Sequence, residues 1–211
     1  TELVNFDVDE GTDGTRFSLE PSVSLPVEGP GYFFIPCVRW RLTEYDLDGD
    51  GDLGNDQPSL EAPIASLDTG LIFERQSSTG KYVQILQPRM LFAYIPFRNQ
   101  DDIPVFDSGE PDFNYVQLFR PNRFVGGDRI GDTSQLSVGL TTRLLASATG
   151  REFLRATLGQ AFYFDDRRVV VPGGEASGSA LFRQAVAWAF GVPSFPKLAY
   201  MSSVSVLAET K

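Results

Sequence analysis

The 211-residue chain sets 18 Lys and Arg against 28 Asp and Glu, giving a net charge of −10, and contains no His and one Cys. So acidic a chain lacks the clustered cations that phosphate backbones require, which excludes nucleic-acid binding. Without His the familiar zinc sites and Ser-His-Asp triads are excluded as well, and Cys37 alone closes no internal disulfide.

The 20 Gly, 14 Pro and 17 Phe suit an all-β chain of strands joined by turns. No stretch reaches the roughly 18 consecutive apolar residues of a spanning helix, and the acidic run Thr1 to Glu10 is unlike a signal peptide. Membrane strands leave only a weak hydropathy signal, so a β-barrel stays open.

Six alternating segments follow in order. From Arg16 to Leu25, Phe17, Leu19, Val23 and Leu25 alternate with Arg16, Ser18, Glu20, Ser22 and Ser24, predicting a strand with one apolar and one polar face. From Tyr32 to Tyr45, Phe34, Val38, Trp40 and Leu42 oppose Arg39, Arg41 and Thr43. The third segment sets Ala65, Leu67, Leu71 and Phe73 against Ser66, Asp68 and Glu74. The fourth sets Tyr82, Leu86, Met90, Phe92 and Tyr94 against Lys81, Gln87 and Arg89. The fifth has Leu136, Val138, Leu140 and Leu144 against Gln135, Ser137, Thr141 and Arg143; the sixth has Leu154, Ala156, Leu158, Phe162 and Phe164 against Arg155, Thr157 and Tyr163.

The connections alternate in length. Val27 to Pro30, Gln76 to Gly80 and Ala146 to Gly150 read as tight turns, whereas Asp46 to Pro63 and Arg98 to Asp132 are long. In an antiparallel meander this places every long loop at one end, as in membrane barrels with short periplasmic turns and long extracellular loops. A soluble β-sandwich or a lipocalin-like barrel shares that rhythm. Aromatics near segment ends, among them Tyr32, Tyr94 and Phe164, suit interfacial girdles and equally suit ordinary strands.

Three motifs carry chemistry on their face. Asp46, Asp48, Asp50 and Asp52, with Gly51 at the sixth position, match the first half of an EF-hand loop, but Gln57 stands where a bidentate Glu belongs. They form a weak calcium candidate, and a soluble β-sheet module holding calcium or a glycan through acidic loops is the alternative function. The second long connection carries Asp101, Asp102, Asp107, Glu110, Asp112, Asp128 and Asp132, yet no spacing fixes two carboxylates at a catalytic distance, so enzyme chemistry is not expected. The Gly126 to Asp132 run lacks the Lys-Ser/Thr ending of a phosphate loop and reads as a glycine-permitted turn.

The stretch Gln100 to Asp107, followed by Pro111-Asp112-Phe113-Asn114-Tyr115, Gln117-Leu118-Phe119-Arg120 and Asn122-Arg123-Phe124, leads through Gly126-Gly127-Asp128-Arg129-Ile130-Gly131-Asp132 into Gln135-Leu136. With Leu67 to Leu71, Phe73-Glu74-Arg75, Gln87-Pro88-Arg89 and Leu158-Gly159-Gln160 in support, it resembles the barrel domain of the LptD family, the organic solvent tolerance proteins. The resemblance runs from about Phe17 to Val171.

The resemblance implies a transmembrane β-barrel in the outer membrane of a Gram-negative bacterium, moving lipopolysaccharide to the outer leaflet with the plug lipoprotein LptE and a periplasmic Lpt bridge. It implies no catalysis and no cofactor. Apolar faces then meet lipid, while Arg16, Glu20, Arg39, Arg41, Asp68, Arg89, Arg143 and Arg155 line the lumen. Asp107, Asp112, Asn114, Arg123, Gly126, Gly127, Asp128, Arg129, Gly131 and Asp132 belong to the family-motif loop on the extracellular side.

Six strands are too few to close a barrel, so residues 1–174 are expected to form part of one. Cys37 matches none of the family's bridging cysteines. Residues 175–211 are expected to be a divergent or foreign tail, with a short Ala-rich helix from Ala180 to Phe190.

Overall fold

A computed structural model describes residues 1–7, 12–48 and 56–171, and the backbone of 183–191 and 206–208. The chain is all-β, an open antiparallel sheet with a single four-residue helix among the described residues. The six expected strands are all present, in meander order.

The strand read at Arg16 is divided into β2 (Asp13–Leu19), β3 (Ser22–Ser24) and β4 (Val27–Gly29), all pairing with β5 (Tyr32–Asp48). Pro21 and Pro26 stand at the two breaks, where a residue without an N–H interrupts a ladder. The ladder resumes around them: Trp40 N donates to Pro21 O at 3.0 Å and Leu25 N to Pro36 O at 3.1 Å. β5 then pairs with β6 (Ser59–Leu71), and β6 with β7 (Phe73–Gln76) together flank β8 (Tyr82–Ile95). Pro88 lies opposite the interruption between β6 and β7, since Gly70 faces Arg89 and Phe73 faces Leu86. β9 (Thr133–Ala146) and β10 (Glu152–Tyr163) complete the expected set.

Several boundaries move. Val27–Gly29 is paired strand rather than turn, and the turn narrows to Pro30-Gly31. Asp46–Asp48 extends β5 against β2, and β6 begins at Ser59, so the first long connection is shorter than read. The acidic N-terminus supplies a further strand, β1 (Glu2–Phe6), along β2. The Ala-rich segment is not a helix: its described part, Arg183–Gly191, is β11, paired with β10 from Tyr163↔Arg183 to Arg155↔Gly191. Ala-rich composition favours helix locally, but an open edge of β10 offers a full ladder, and pairing overrides propensity. The chain continues to β12 (Val206–Ala208) on β11. The remainder of the expected tail lies outside the described residues.

The sheet's two faces are unequal. One face presents Val38, Trp40, Leu71, Met90, Phe92, Leu140, Leu154 and Leu158, all exposed. The other is covered by the connection between β8 and β9, residues 96–132. Both hydrophobic clusters lie under that cover. Tyr45, Leu47, Leu60, Ala62, Ile64 and Ile95 of the sheet meet Ile103, Ile130 and Phe106 of the loop. Leu91 and Ala161 meet Leu118 of α1 (Tyr115–Leu118) and Phe119, its C-cap. α1 comes this close because two mid-strand glycines make room: a Cβ at Gly139 would lie 2.7 Å from the Phe119 ring, and one at Gly159 would lie 2.2 Å from Leu118 Cδ2.

Candidate functional site

Cross-strand register puts all eight expected lumen residues on the loop-covered face. Arg16 pairs with Tyr45, Arg39 with Ile64, Asp68 with Leu91, Arg89 with Gly139 and Arg143 with Arg155, and alternation along each strand carries the parity across. These charges are partnered. Arg39 and Arg41 both reach Glu20, at 3.3 and 3.2 Å. Arg89 grips Asp68 through Nε at 2.9 Å and Nη2 at 2.6 Å while lying over the Phe119 ring. Arg155 and Arg143 both approach Glu152, at 2.9 and 3.9 Å.

Arg16 is different, being 1% exposed beneath the loop. Burying a guanidinium is costly unless it is paired and hydrogen-bonded. Here Nη1 and Nη2 donate to the two carboxylate oxygens of Asp107 at 2.9 Å each, and Nη1 also donates to Asp128 Oδ1 at 2.6 Å. Asp128 is fully buried and saturated: its Oδ1 also accepts from the Tyr45 hydroxyl at 3.1 Å, and its Oδ2 from the backbone N–H of Phe106 and Asp107 at 2.8 Å each. The Arg16 guanidinium, with the Gly127 N–H at 2.7 Å, holds the Asp107 carboxyl well below the usual carboxylate range, against the opposing effect of burial.

The glycines of the run are explained by this clamp. Gly126 has φ +80, and a Cβ there would lie 2.2 Å from Asp107 O. A Cβ at Gly127 would lie 2.2 Å from Arg16 Cζ, and one at Gly131 would lie 2.5 Å from Arg123 Nη1. Around them the loop ties itself down. Ser108 Oγ accepts from the N–H of Asp128 and Arg129 at 2.8 and 3.0 Å, and Arg129 Nη2 donates to Ile103 O at 2.6 Å. Gln100 exchanges two hydrogen bonds with Ile130, and Asn122 Oδ1 accepts from Gly131 N at 2.9 Å.

Asp132 and Arg123 extend the lock to residues after β10. Asp132 accepts from the N–H of Arg168 at 2.8 Å and of Val169 at 3.0 Å, and Arg123 donates to Asp132 O at 2.9 Å and to Val169 O. Burial pulls the Arg123 and Arg129 guanidinium groups below their ordinary value. Asn114 caps α1, accepting from Val116 N and Gln117 N at 2.9 and 3.1 Å, while Asp112 is exposed and lends only its carbonyl to Asn114.

The loop is packed by its own side chains and also fastened to the sheet. Tyr45, Ser108, Gly139 and Gly159 are members of this arrangement that the sequence did not single out. Mid-strand glycine signals close approach of another chain segment and would have marked the last two. The carboxylates of Asp107, Asp128 and Asp132 are occupied by guanidinium and amide donors rather than paired across a cleft. Of the calcium candidates, Asp46 and Asp48 stand in β5 on the bare face, and Asp46 Oδ1 accepts from Gln57 Nε2 at 3.2 Å. Asp50 and Asp52 lie outside the described residues. Among the described residues no group of three or more acidic or thiol side chains is placed to hold a metal.

Fold and site together define an all-β protein with one bare apolar face and one face roofed by a locked loop. The chain belongs to the LptD family: the model of that family, described as LPS transport system D, matches residues 1–199. It is 45% identical over 168 residues to an LPS-assembly protein LptD of Aromatoleum aromaticum, covering 79% of this chain and 21% of that protein. Against the LPS-assembly protein LptD of Nitrosococcus oceani it is 46% identical over 193 residues, 88% of this chain and 26% of that protein. The Paraburkholderia xenovorans relative of the same name is 38% identical over 185 residues, 84% of this chain and 23% of that protein. The chain thus spans a fifth to a quarter of the length of these relatives.

Proposed function

We propose that this chain is part of the wall of an outer-membrane β-barrel that passes lipopolysaccharide to the outer leaflet, its bare face in lipid and its loop-covered face toward the lumen. The observation that carries this is the exchange of polarity along β5. On β5 the bare face shows Tyr32, Phe34, Val38, Trp40 and Leu42 and then turns to Glu44, Asp46 and Asp48. The opposite face opens on Phe33, Ile35 and Cys37, carries Arg39, Arg41 and Thr43 at mid-strand, and ends on buried Tyr45 and Leu47.

A soluble sheet keeps one face apolar and covers it. This one leaves its apolar face bare for most of the strand, then packs conventionally beyond it. From Tyr32 to Leu42 the strand rises about 33 Å at ~3.3 Å per residue. With a tilt of ~40° that is a band about 25 Å tall, the height of the apolar belt of an outer-membrane barrel. Aromatic residues mark its limits: Tyr32, Tyr82 and Phe73 toward the short turns, Trp40 and Tyr94 toward the long loops.

In this reading loop 96–132 lies at the extracellular end and plugs that end of the lumen, and the plug lipoprotein LptE and the periplasmic Lpt bridge are the partners. The test is fractionation of the full-length protein from a Gram-negative host. The reading expects it in the outer membrane, resistant to alkaline extraction and shifting in mobility when heated in detergent. Recovery in the aqueous fraction refutes it.

A further inference from the structure

Where the loop ends and the uncovered part of the inward face begins, a cavity of about 240 Å³ opens between Glu20, Arg39 and Arg41 of the sheet and Arg120, Phe124 and Val125 of the loop. Three guanidinium groups share this space with one carboxylate. Glu20 is divided between Arg39 and Arg41, leaving each half-neutralised. Arg41 spends its Nη2 on Gly127 O at 2.9 Å, which fixes the side chain against the loop. Arg39 Nε is buried with no hydrogen-bond partner. Arg120 is exposed and its guanidinium has no ion-pair partner among the described residues.

The contrast with neighbouring cations is informative. Arg16 is held by two carboxylates and Arg89 by one of its own. The cavity arginines instead share one carboxylate, as Arg143 and Arg155 share Glu152, and Arg120 adds a third cation to that space, although the chain as a whole is strongly acidic. A positive recess with low-dielectric walls concentrates anions, and planar guanidinium forks match the oxygens of phosphate. Phe124 and Ile64 supply an apolar flank, which strengthens such contacts by excluding water.

We propose that this cavity is an anion-binding station on the inward face that takes phosphate groups, with Arg39, Arg41 and Arg120 as donors and Glu20 as the group that pre-orients two of them. It rests on the transport reading, and deepens it by assigning where the phosphates of a phosphorylated glycolipid pause beneath the loop.

The full-length protein in detergent micelles is titrated with lipopolysaccharide, with the same lipopolysaccharide stripped of phosphate, and separately with inorganic pyrophosphate. Wild type is expected to bind the phosphorylated form about tenfold or more tightly than the stripped one, since each lost charge-assisted hydrogen bond is a loss of about that size. R120Q, which alters an exposed side chain outside the Glu20 network, loses several-fold; R39Q/R41Q/R120Q loses tenfold or more; and R39K/R41K/R120K keeps most of the binding. Displacement of lipopolysaccharide by pyrophosphate identifies phosphate itself as the recognised group, and no displacement identifies the lipid-borne headgroup; both support the station. Equal binding of the two lipopolysaccharides, or unchanged binding in R120Q and the triple Gln variant, overturns it. If neither lipopolysaccharide binds but pyrophosphate does, in an Arg120-dependent way, the station stands and the transport reading falls. If nothing binds, both fall.

Discussion

Asp128→Asn isolates the clamp that fastens the loop to the sheet, because it preserves shape and removes one acceptor oxygen. The Asp128 carboxylate accepts four hydrogen bonds at no exposure: Arg16 Nη1, the Tyr45 hydroxyl and the N–H groups of Phe106 and Asp107. An amide serves only one of these pairs with oxygen. If its oxygen stays on the two backbone donors, its NH₂ faces the Arg16 guanidinium, and the bond at 2.6 Å becomes a donor-donor contact.

Hydrogen bonds to charged groups contribute about 1.5–3 kcal/mol, and a buried donor left without an acceptor costs about 1–3 kcal/mol more. Arg16 retains Asp107, and Tyr45 turns its hydroxyl to accept, so the net cost lies near 3 kcal/mol. That raises the loop-opening equilibrium about 100-fold. Amide hydrogen exchange of the full-length protein in micelles reads this directly. The amides of Phe106 and Asp107 are expected to exchange about 100-fold faster, while those of β9 and β10 keep their protection. Unchanged protection at both residues refutes the clamp. Uniform loss of protection across the sheet refutes its confinement to the loop.

Gly159→Val drives a side chain into Leu118 and, by overpacking at a cost of about 1–3 kcal/mol, lifts α1 from the sheet; limited proteolysis should then cut near residues 113–120, and continued resistance counts against the contact. Leu158→Arg places a charge on the bare face opposite Leu140, and unfolding from lipid vesicles should show a loss of about 2–4 kcal/mol if this level is near mid-membrane; a neutral outcome contradicts lipid contact. Asp107 has a folded value below its ordinary 3.8, so its contribution is fully present above that value and fades as pH falls through the lower folded one. Exchange protection of the loop should therefore decline as the medium is acidified below about pH 4, and Asp107→Asn should flatten that dependence; an equally steep profile in the variant excludes Asp107 as its source.

The strands, their faces and their turns were legible because side-chain alternation is local: period two is written in consecutive residues such as Arg39, Trp40 and Arg41. The same rule put all eight charged residues on one face before any coordinates. It misjudged β11, where isolated composition favours helix and only an unpaired neighbouring strand turns the segment into sheet. It also misread Asp46 and Asp48 as loop residues, since polar side chains on a strand look like loop until the strand is known to rise beyond an apolar belt.

The sequence by itself thus determined an antiparallel all-β chain with one apolar and one charged face, long loops at one end, and a motif rich in Asp, Arg and Gly between β8 and β9. Only the tertiary structure decided what that motif is for. Arg16 finds Asp107 and Asp128 at separations of 91 and 112 residues, distances over which no spacing rule operates. Which carboxylates neutralise which cations, and so which arginines are left to meet an anion, depends on the loop folding back onto the sheet, and pairing of that kind is a property of three-dimensional packing rather than of neighbours along the chain.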